Sequence, residues 1–211
     1  MTDSLPGDKL RTVREAIAAR RSIRKFAPKE VPPQLVGEVL LAAFDAPAPH
    51  HTTPWRFAVL IRTEAKRSLA EAMAKRWVED MLGDGIDADR AEHLASQSIS
   101  RLTSAPVLVL ACLVTEGLHR YPDERRRRAE WAMALLSLGA ALENVMVCAS
   151  AAGLGTCWIA APIFAPEEAR ASLSLPEEWV PQALLMMGVP DRSYVPRERP
   201  SPDLAEWIRY F

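Results

Sequence analysis

Arg20, Arg21, Arg24 and Lys25 put four cations into six consecutive positions, with Ser22 among them and Phe26 directly after. Planar guanidiniums, a point ammonium and a hydroxyl at that density suit a phosphate or the polarised edge of a heterocycle. A helix C-terminus explains one or two such cations by its negative dipole end, but not four. A second cationic group, Arg197 and Arg199, stands in a tail broken by Pro190, Pro196, Pro200 and Pro202 and ending in Leu204, Trp207, Ile208 and Phe211. A third opens at Tyr121-Pro122-Asp123-Glu124 and continues as Arg125, Arg126, Arg127 and Arg128. Asp123 and Glu124 suit a helix start, whereas the arginines oppose its dipole; they fit either an anionic ligand or a charged interface.

His50-His51 lies in a turn-rich stretch punctuated by Pro47, Pro49 and Pro54. Polar groups on a loop so fixed are placed to line a pocket. The other histidines, His93 and His119, stand in no i, i+4 relation to them, and no carboxylate is near in sequence, so no metal site is expected. No nucleophilic triad, phosphate-binding glycine loop or isolated carboxylate pair can be assembled. Cations, hydroxyls and backbone without a nucleophile fit chemistry carried by a bound cofactor.

The elements that must position these groups follow from periodicity. Leu10, Val13 and Ile17 mark an amphipathic helix over 9–20, stopped by the basic run and Pro28. Val31-Pro32-Pro33 opens a helix reaching Ala43. Strands are expected at Phe57–Ile61, Ala105–Val114, Thr156–Ala160 and Gln182–Val189, and helices at 64–82, 87–103, 124–152 and 166–173. The strand at 105–114 is apolar on both faces and must be covered on both. The helix at 124–152 turns almost wholly apolar from Trp131 to Val147, which marks a central position or an interface. Gly153-Leu154-Gly155 stops it, and also lets backbone near Ala160 and Ala161 approach a flat ligand. Four strands with intervening helices make an α/β or α+β layered domain, and the apolar tail end needs its own body or a partner to bury it.

At 211 residues this is one domain, and a net charge of −1 argues against general nucleic-acid affinity. Cys112, Cys148 and Cys157 lie among apolar residues and read as buried reduced thiols in a reducing compartment. With no apolar leader in residues 1–9 and no uninterrupted apolar stretch near 18 residues, the expected location is cytoplasmic and away from membranes.

Three segments together resemble a known family. Arg20-Arg21-Ser22-Ile23-Arg24-Lys25-Phe26, then Gly153-Leu154-Gly155-Thr156-Cys157-Trp158-Ile159, then the basic proline-rich tail with Arg197 and Arg199 are similar to the ordered signatures of the FMN-dependent nitroreductase superfamily. Ala46-Pro47-Ala48-Pro49-His50-His51-Thr52, Trp77 with Gly83-Asp84-Gly85, and Tyr121-Pro122-Asp123 with Ala129, Glu130 and Met133 resemble one branch of it. That branch is the C-terminal flavin domain of the bifunctional enzyme of coenzyme F420 biosynthesis, which there follows a γ-glutamyl ligase domain. Many nitroreductases carry an Asn and a Gln in the loop ending here at Pro54-Trp55; His51 and Thr53 stand at those positions.

The resemblance implies an α+β fold over residues 1–211, a mostly antiparallel sheet wrapped by helices. It also implies a homodimer with FMN at the interface and an arm, about 190–211, laid across the partner. It implies FMN held by Arg20, Arg21, Ser22, Arg24, Arg197 and Arg199, with the backbone of Ala160 and Ala161 facing the flavin. A cation at the ring's pyrimidine edge would stabilise the anionic reduced flavin. The implied reaction is reduction of the C=C bond of dehydro-F420-0, an F420-type deazaflavin precursor, with a separate γ-glutamyl ligase as partner. His50, His51 and Tyr121 are the candidates for its proton, and Arg76, Trp77, Arg125 and Arg126 for substrate binding. A broad NAD(P)H-dependent nitro- or quinone reductase, or a non-catalytic F420-binding partner of the ligase, are the alternatives.

Overall fold

The computed structural model describes residues 7–211 apart from Ser201, with the side chain of Leu204 also outside the described set. Its helices are α1 (Gly7–Ala19), α2 (Pro33–Leu41), α3 (Thr63–Gly83), α4 (Ala88–Thr103), α5 (Glu124–Ala151), α6 (Pro166–Ser172) and the short α7 (Leu204–Trp207). Its strands are β1 (Trp55–Leu60), β2 (Val107–Leu113), β3 (Gly155–Ile159) and β4 (Val180–Gly188). Asp87 and Asp123 cap α4 and α5 by accepting the N–H of Arg90 and Arg126 at 3.1 and 2.9 Å. The helix expected to reach Ala43 gives way after Leu41 to a 3-10 turn at Ala42–Asp45.

The sheet runs β1-β2-β4-β3 with every ladder antiparallel, so the fold is α+β. Alternation sorts the central strands between two cores. Val107, Val109, Ala111, Ala183, Leu185 and Met187 meet α2 and α5 on one face. Leu108, Leu110, Cys112, Leu184 and Met186 meet α3, α4 and α6 on the other. β2 is buried throughout, as its two apolar faces require. Lys66, buried in α3, donates to the carbonyl of Ala105 at 2.7 Å and ties that helix to the entry of β2, although burial lowers its affinity for the proton.

The basic segment after α1 is stitched to the sheet rather than left free. Ser22 bridges Thr156, and the Ile23 N–H donates to the Thr156 carbonyl at 2.8 Å. The glycine pair divides its work accordingly. Gly153, at φ 77°, ends α5, while a Cβ on Gly155 would stand 2.7 Å from Ile23. Gly155 is therefore small because the first signature lies against it.

Several apolar groups stay open on the surface of the chain. Leu10, Val13 and Ile17 of α1 are exposed, as are Trp207, Ile208 and Phe211, so the tail's apolar end is not buried by its own body. Leu136, 75% exposed, and Met133 extend this on α5. By length and composition α5 could cross a membrane, with 39% of its most apolar window buried; here one side of it lies on the sheet. Cys112 and Cys157 are buried, and burial pushes the Cys112 thiol up to about 12. Cys148 is exposed, contrary to expectation, because it falls on the face of α5 turned away from the sheet.

Candidate functional site

Two cationic groups that are about 175 residues apart in sequence form one pocket. Arg20, Arg21, Ser22 and Arg24 face Pro196, Arg197, Glu198, Arg199 and Pro200 around a space of about 290 Å³. An Arg199 guanidinium donates to the Arg20 carbonyl, and the Tyr194 hydroxyl donates to that of Ser22 at 3.2 Å, so backbone contacts close the tail over the first segment. A hydrogen bond with Tyr194 raises the Arg24 guanidinium further, ahead of smaller charge effects. Arg20 is partly spent: its Nε donates to Glu143 of α5 at 2.8 Å. Five guanidiniums with Glu143 and Glu198 as the nearby acids leave surplus positive charge, which suits a phosphate.

Ala160 and Ala161 are not in this pocket. They follow the far end of β3, about 13 Å from Thr156 at the usual strand rise. β3 is an edge strand, paired with β4 on one side and on the other touched through the Ser22–Thr156 bridge. Its remaining outward backbone groups are open to a ligand, as edge strands are. Ala161 lines a mainly apolar cavity of about 430 Å³ with Met73, Arg76, Trp77, Leu102, Phe164 and others. The structure therefore joins Arg76 and Trp77 to Ala161, with Arg76 paired to Asp80 at 2.9 Å within its own helix. A cationic pocket beside the start of β3, an open strand edge and a mainly apolar cavity beyond its end suit a flavin mononucleotide, phosphate at one end and ring at the other.

Arg125 and Arg126 do not join that cavity; they lie at the start of α5, and the local account of that basic run needs correcting. Arg126 pairs with Asp123 and lies 5.0 Å over the Tyr121 ring. Arg127 donates to the carbonyls of Tyr121 and Pro122, the latter at 2.7 Å, and Arg128 pairs with Glu124. Three of the four are thus used in holding the helix start and its loop. Arg125 makes no ion pair among the described residues.

The histidines supply what the sequence concealed. His50 and His51 adopt left-handed φ values of 56° and 55°, a conformation costing about 1–2 kcal/mol for each L-residue. Thr52 steadies the turn, its N–H donating to the Pro49 carbonyl at 3.0 Å. His50 reaches Glu130, a carboxylate 80 positions away in sequence and 3% exposed, with Nε2···Oε1 at 2.9 Å. The same oxygen accepts the His119 backbone N–H at 2.9 Å, and Glu130 Oε2 is buried with no partner. Burial pushes the Glu130 carboxyl up, but the His119 N–H and the bond and charge of His50 outweigh it and hold it below the ordinary carboxylate value.

His50, His119 and Glu130 thus have ligand atoms within 4.8 Å of one another, although Glu130 stands 80 positions from His50 in sequence. The imidazoles are stacked, however, with centroids 3.7 Å apart and planes 17° apart. A metal binds in the ring plane at about 2 Å, and two near-parallel rings cannot both aim a lone pair at one ion. Tyr121 stands beside the stacked pair, its hydroxyl 3.5 Å from His119 Nδ1, while His51 is exposed and outside the cluster. No signal in the sequence links residue 50 to residue 130.

Comparison with known proteins agrees with this geometry. The model of the nitroreductase family matches residues 17–189. A Methanothermobacter thermautotrophicus protein named as an NADH dehydrogenase/NAD(P)H nitroreductase is 26% identical over 92% of this chain and 87% of its own length. Iodotyrosine deiodinase 1 of Rattus norvegicus is 27% identical over 84% of this chain and 62% of its own. Among solved structures, a BluB-like flavoprotein from Clostridium difficile 630 superposes with a TM-score of 0.79 at 24% identity, covering 94% of this chain and 98% of that one, a likeness of fold. The chain belongs to the nitroreductase family.

Proposed function

We propose that this oxidoreductase is a cytoplasmic homodimer that binds FMN, draws electrons from NAD(P)H and passes them to nitro- or quinone-type acceptors. The observation that carries the reading is the placement of the arginine pocket beside the start of edge strand β3, where Ser22 bridges Thr156, and of the Ala161 cavity just beyond its end. Arg21, Ser22, Arg24, Arg197 and Arg199 would hold the phosphate, with Arg20 shared with Glu143. The backbone at Ala160 and Ala161 would face the ring, and Trp77 and Phe164 would wall the acceptor. When bound, the flavin supplies the hydride. The protein's part is to orient the acceptor, exclude water from it and provide a proton. The pyridine-nucleotide donor is taken from the name of the archaeal relative. The dimer is supported by the uncovered apolar surface of α1, α5 and the tail.

The test is a visible absorption spectrum of the purified protein, followed by anaerobic bleaching with NADH or NADPH and reoxidation by nitrofurazone. A colourless protein that takes up no added FMN overturns the reading.

A narrower reading, reduction of dehydro-F420-0 alongside a separate γ-glutamyl ligase, is favoured by His51 and Thr53 in the loop before Trp55 and by the Arg125 cation, which has no ion pair among the described residues. It predicts that the flavin-loaded protein reduces dehydro-F420-0 faster than nitrofurazone at equal concentration.

A further inference from the structure

We propose that the Ala161 cavity selects flat aromatic acceptors that carry a positive charge and turns away anionic ones, with Trp77 and Asp84 as the specificity-determining side chains. The proposal deepens the flavin reading and rests on it for the redox step, because that reading seats the acceptor in this cavity.

One stripe of α3 lines the cavity. Met73, Arg76, Trp77, Asp80 and Asp84 stand three or four positions apart and so share a helix face. The stripe changes character along its length. Met73 is buried with Leu102 in the apolar cluster against which Ala161 packs. One turn on, Trp77 is 42% exposed, and Phe164 on the same cavity is exposed too, so aromatic surface is open there. The stripe then ends in two carboxylates. A flat ring gains most by covering the apolar and aromatic part, which leaves its substituent toward Asp80 and Asp84.

Charge at that end is unequal. The charged residues of the cavity are Arg76, Asp80 and Asp84. Arg76 donates to Asp80 at 2.9 Å. The bond and charge of Asp80, with smaller contributions from Glu168 and Glu79, raise the guanidinium's affinity for its proton against the effect of burial. The resemblance implies a substrate-binding role for Arg76, but its charge is already met within its own helix. Asp84 makes no ion pair among the described residues. Its N–H donates to the Asp80 carbonyl at 3.0 Å, which sets it at the C-terminus of α3, the negative end of the helix dipole, with no basic residue in the last turn. A carboxylate there is opposed locally, and a cation from outside relieves it. An aromatic face in one cavity with an unpaired carboxylate is the combination that holds ammonium and pyridinium groups, through the ring's negative face and the full charge together. The same field repels a phosphate or a carboxylate.

Three acceptors decide it: nitrobenzenes that bear, on a three-carbon arm, a trimethylammonium, a hydroxyl or a carboxylate, each reduced by the flavin-loaded protein at low salt. Their kcat/KM values should fall in that order, about tenfold from cation to anion, since the exposed charge pair and the cation–ring contact each contribute up to about fivefold. The spread should narrow to about twofold at about 0.5 M salt. Asp84→Asn should cut the ratio of cation to hydroxyl compound about threefold, and Asp84→Lys should reverse the order of cation and anion. Trp77→Leu should weaken all three, the cation most. Equilibrium dialysis of the same compounds against the oxidised protein, with and without FMN, gives a readout apart from turnover, and the same order of affinity is expected. Equal kcat/KM values in a wild type that reduces the hydroxyl compound, or an order untouched by Asp84→Lys, overturn the specificity and leave the oxidoreductase standing. A protein that holds no FMN and reduces none of the three overturns the flavin reading. Dialysis then decides the cavity's preference by itself, and binding of the anion as tight as that of the cation overturns the proposal too.

Discussion

The arginine pocket and the histidine–glutamate cluster are both dense polar sites, yet they are finished differently. Around the pocket, guanidiniums outnumber the acids, the contacts that close it are made by backbone carbonyls, and its charge is left for a ligand. In the cluster, one buried carboxylate satisfies a ring and a backbone N–H, and only Oε2 lacks a partner. A site completed by its own side chains can tolerate small changes in charge; a site completed by a ligand loses the ligand first. The two should therefore break in different ways, one in binding with stability intact and the other in stability and proton affinity with binding intact.

The largest effect is expected in the pocket. Arg24→Glu combined with Arg197→Glu removes two charge-assisted contacts worth about 1.5–3 kcal/mol each, so FMN affinity should fall by about a hundredfold or more. The melting temperature of the flavin-free protein should move little, since neither side chain supports the core. The ratio of flavin to protein absorbance after dialysis checks this. Full retention in the double variant would make the pocket a surface feature.

Next comes Glu130→Ala, which leaves the His119 N–H and the His50 ring without their acceptor. Losing a buried acceptor costs about 1–3 kcal/mol, or a melting temperature lower by a few degrees to about 10 °C for a chain of this size. Flavin content at saturating FMN should stay full. Loss of flavin with unchanged stability would invert the contrast between the two sites.

The cluster also has a pH signature. The Glu130 carboxyl is held below its ordinary value, so its stabilisation is present above the ordinary carboxylate range and is lost as pH falls through the lower folded value. The difference in urea midpoint between wild type and Glu130→Gln should be full at pH 7 and close below about pH 4. A gap that persists at pH 3 would mean that shape rather than charge holds the cluster.

The same contrast explains what could be read from the residues in order. The pocket was legible because each half is contiguous: Arg20 to Arg24 in one run and Arg197 to Arg199 in another, each too cationic for its helix or turn. β2 and α5 were legible because an all-apolar strand and a long helix declare their burial by period. The His50–Glu130 contact was not, because it depends on a left-handed turn bringing one loop to a helix 80 positions on, and nothing local encodes that meeting. Cys148 misled for a related reason: apolar neighbours along a helix lie on every side of it, and only the packing decides which face is inside. Gly155 was half legible, since a helix stop accounts for Gly153 and only the approach of Ile23 accounts for its neighbour.

The smallest expected effect separates Arg125 from Arg126 at the start of α5. Arg126 pairs with the capping Asp123 and covers the Tyr121 ring, whereas Arg125 makes no ion pair among the described residues and opposes the helix dipole. If nothing but the protomer's own stability governs position 125, Arg125→Ala should leave stability within about 0.5 kcal/mol of wild type, or raise it slightly. Arg126→Ala should lower it, because the loop carrying His119 and Tyr121 loses a contact that orders it. Thermal denaturation of the two variants side by side reads this difference. A cation kept at a local electrostatic disadvantage points to an anion outside the protomer, so Arg125→Ala should also raise the apparent KM for an anionic acceptor more than for nitrofurazone. That excess should shrink as salt is added, because an exposed contact is screened. A large loss of stability in Arg125→Ala would show instead that the residue is held by the fold, and the narrower F420 reading would lose the cation it leans on.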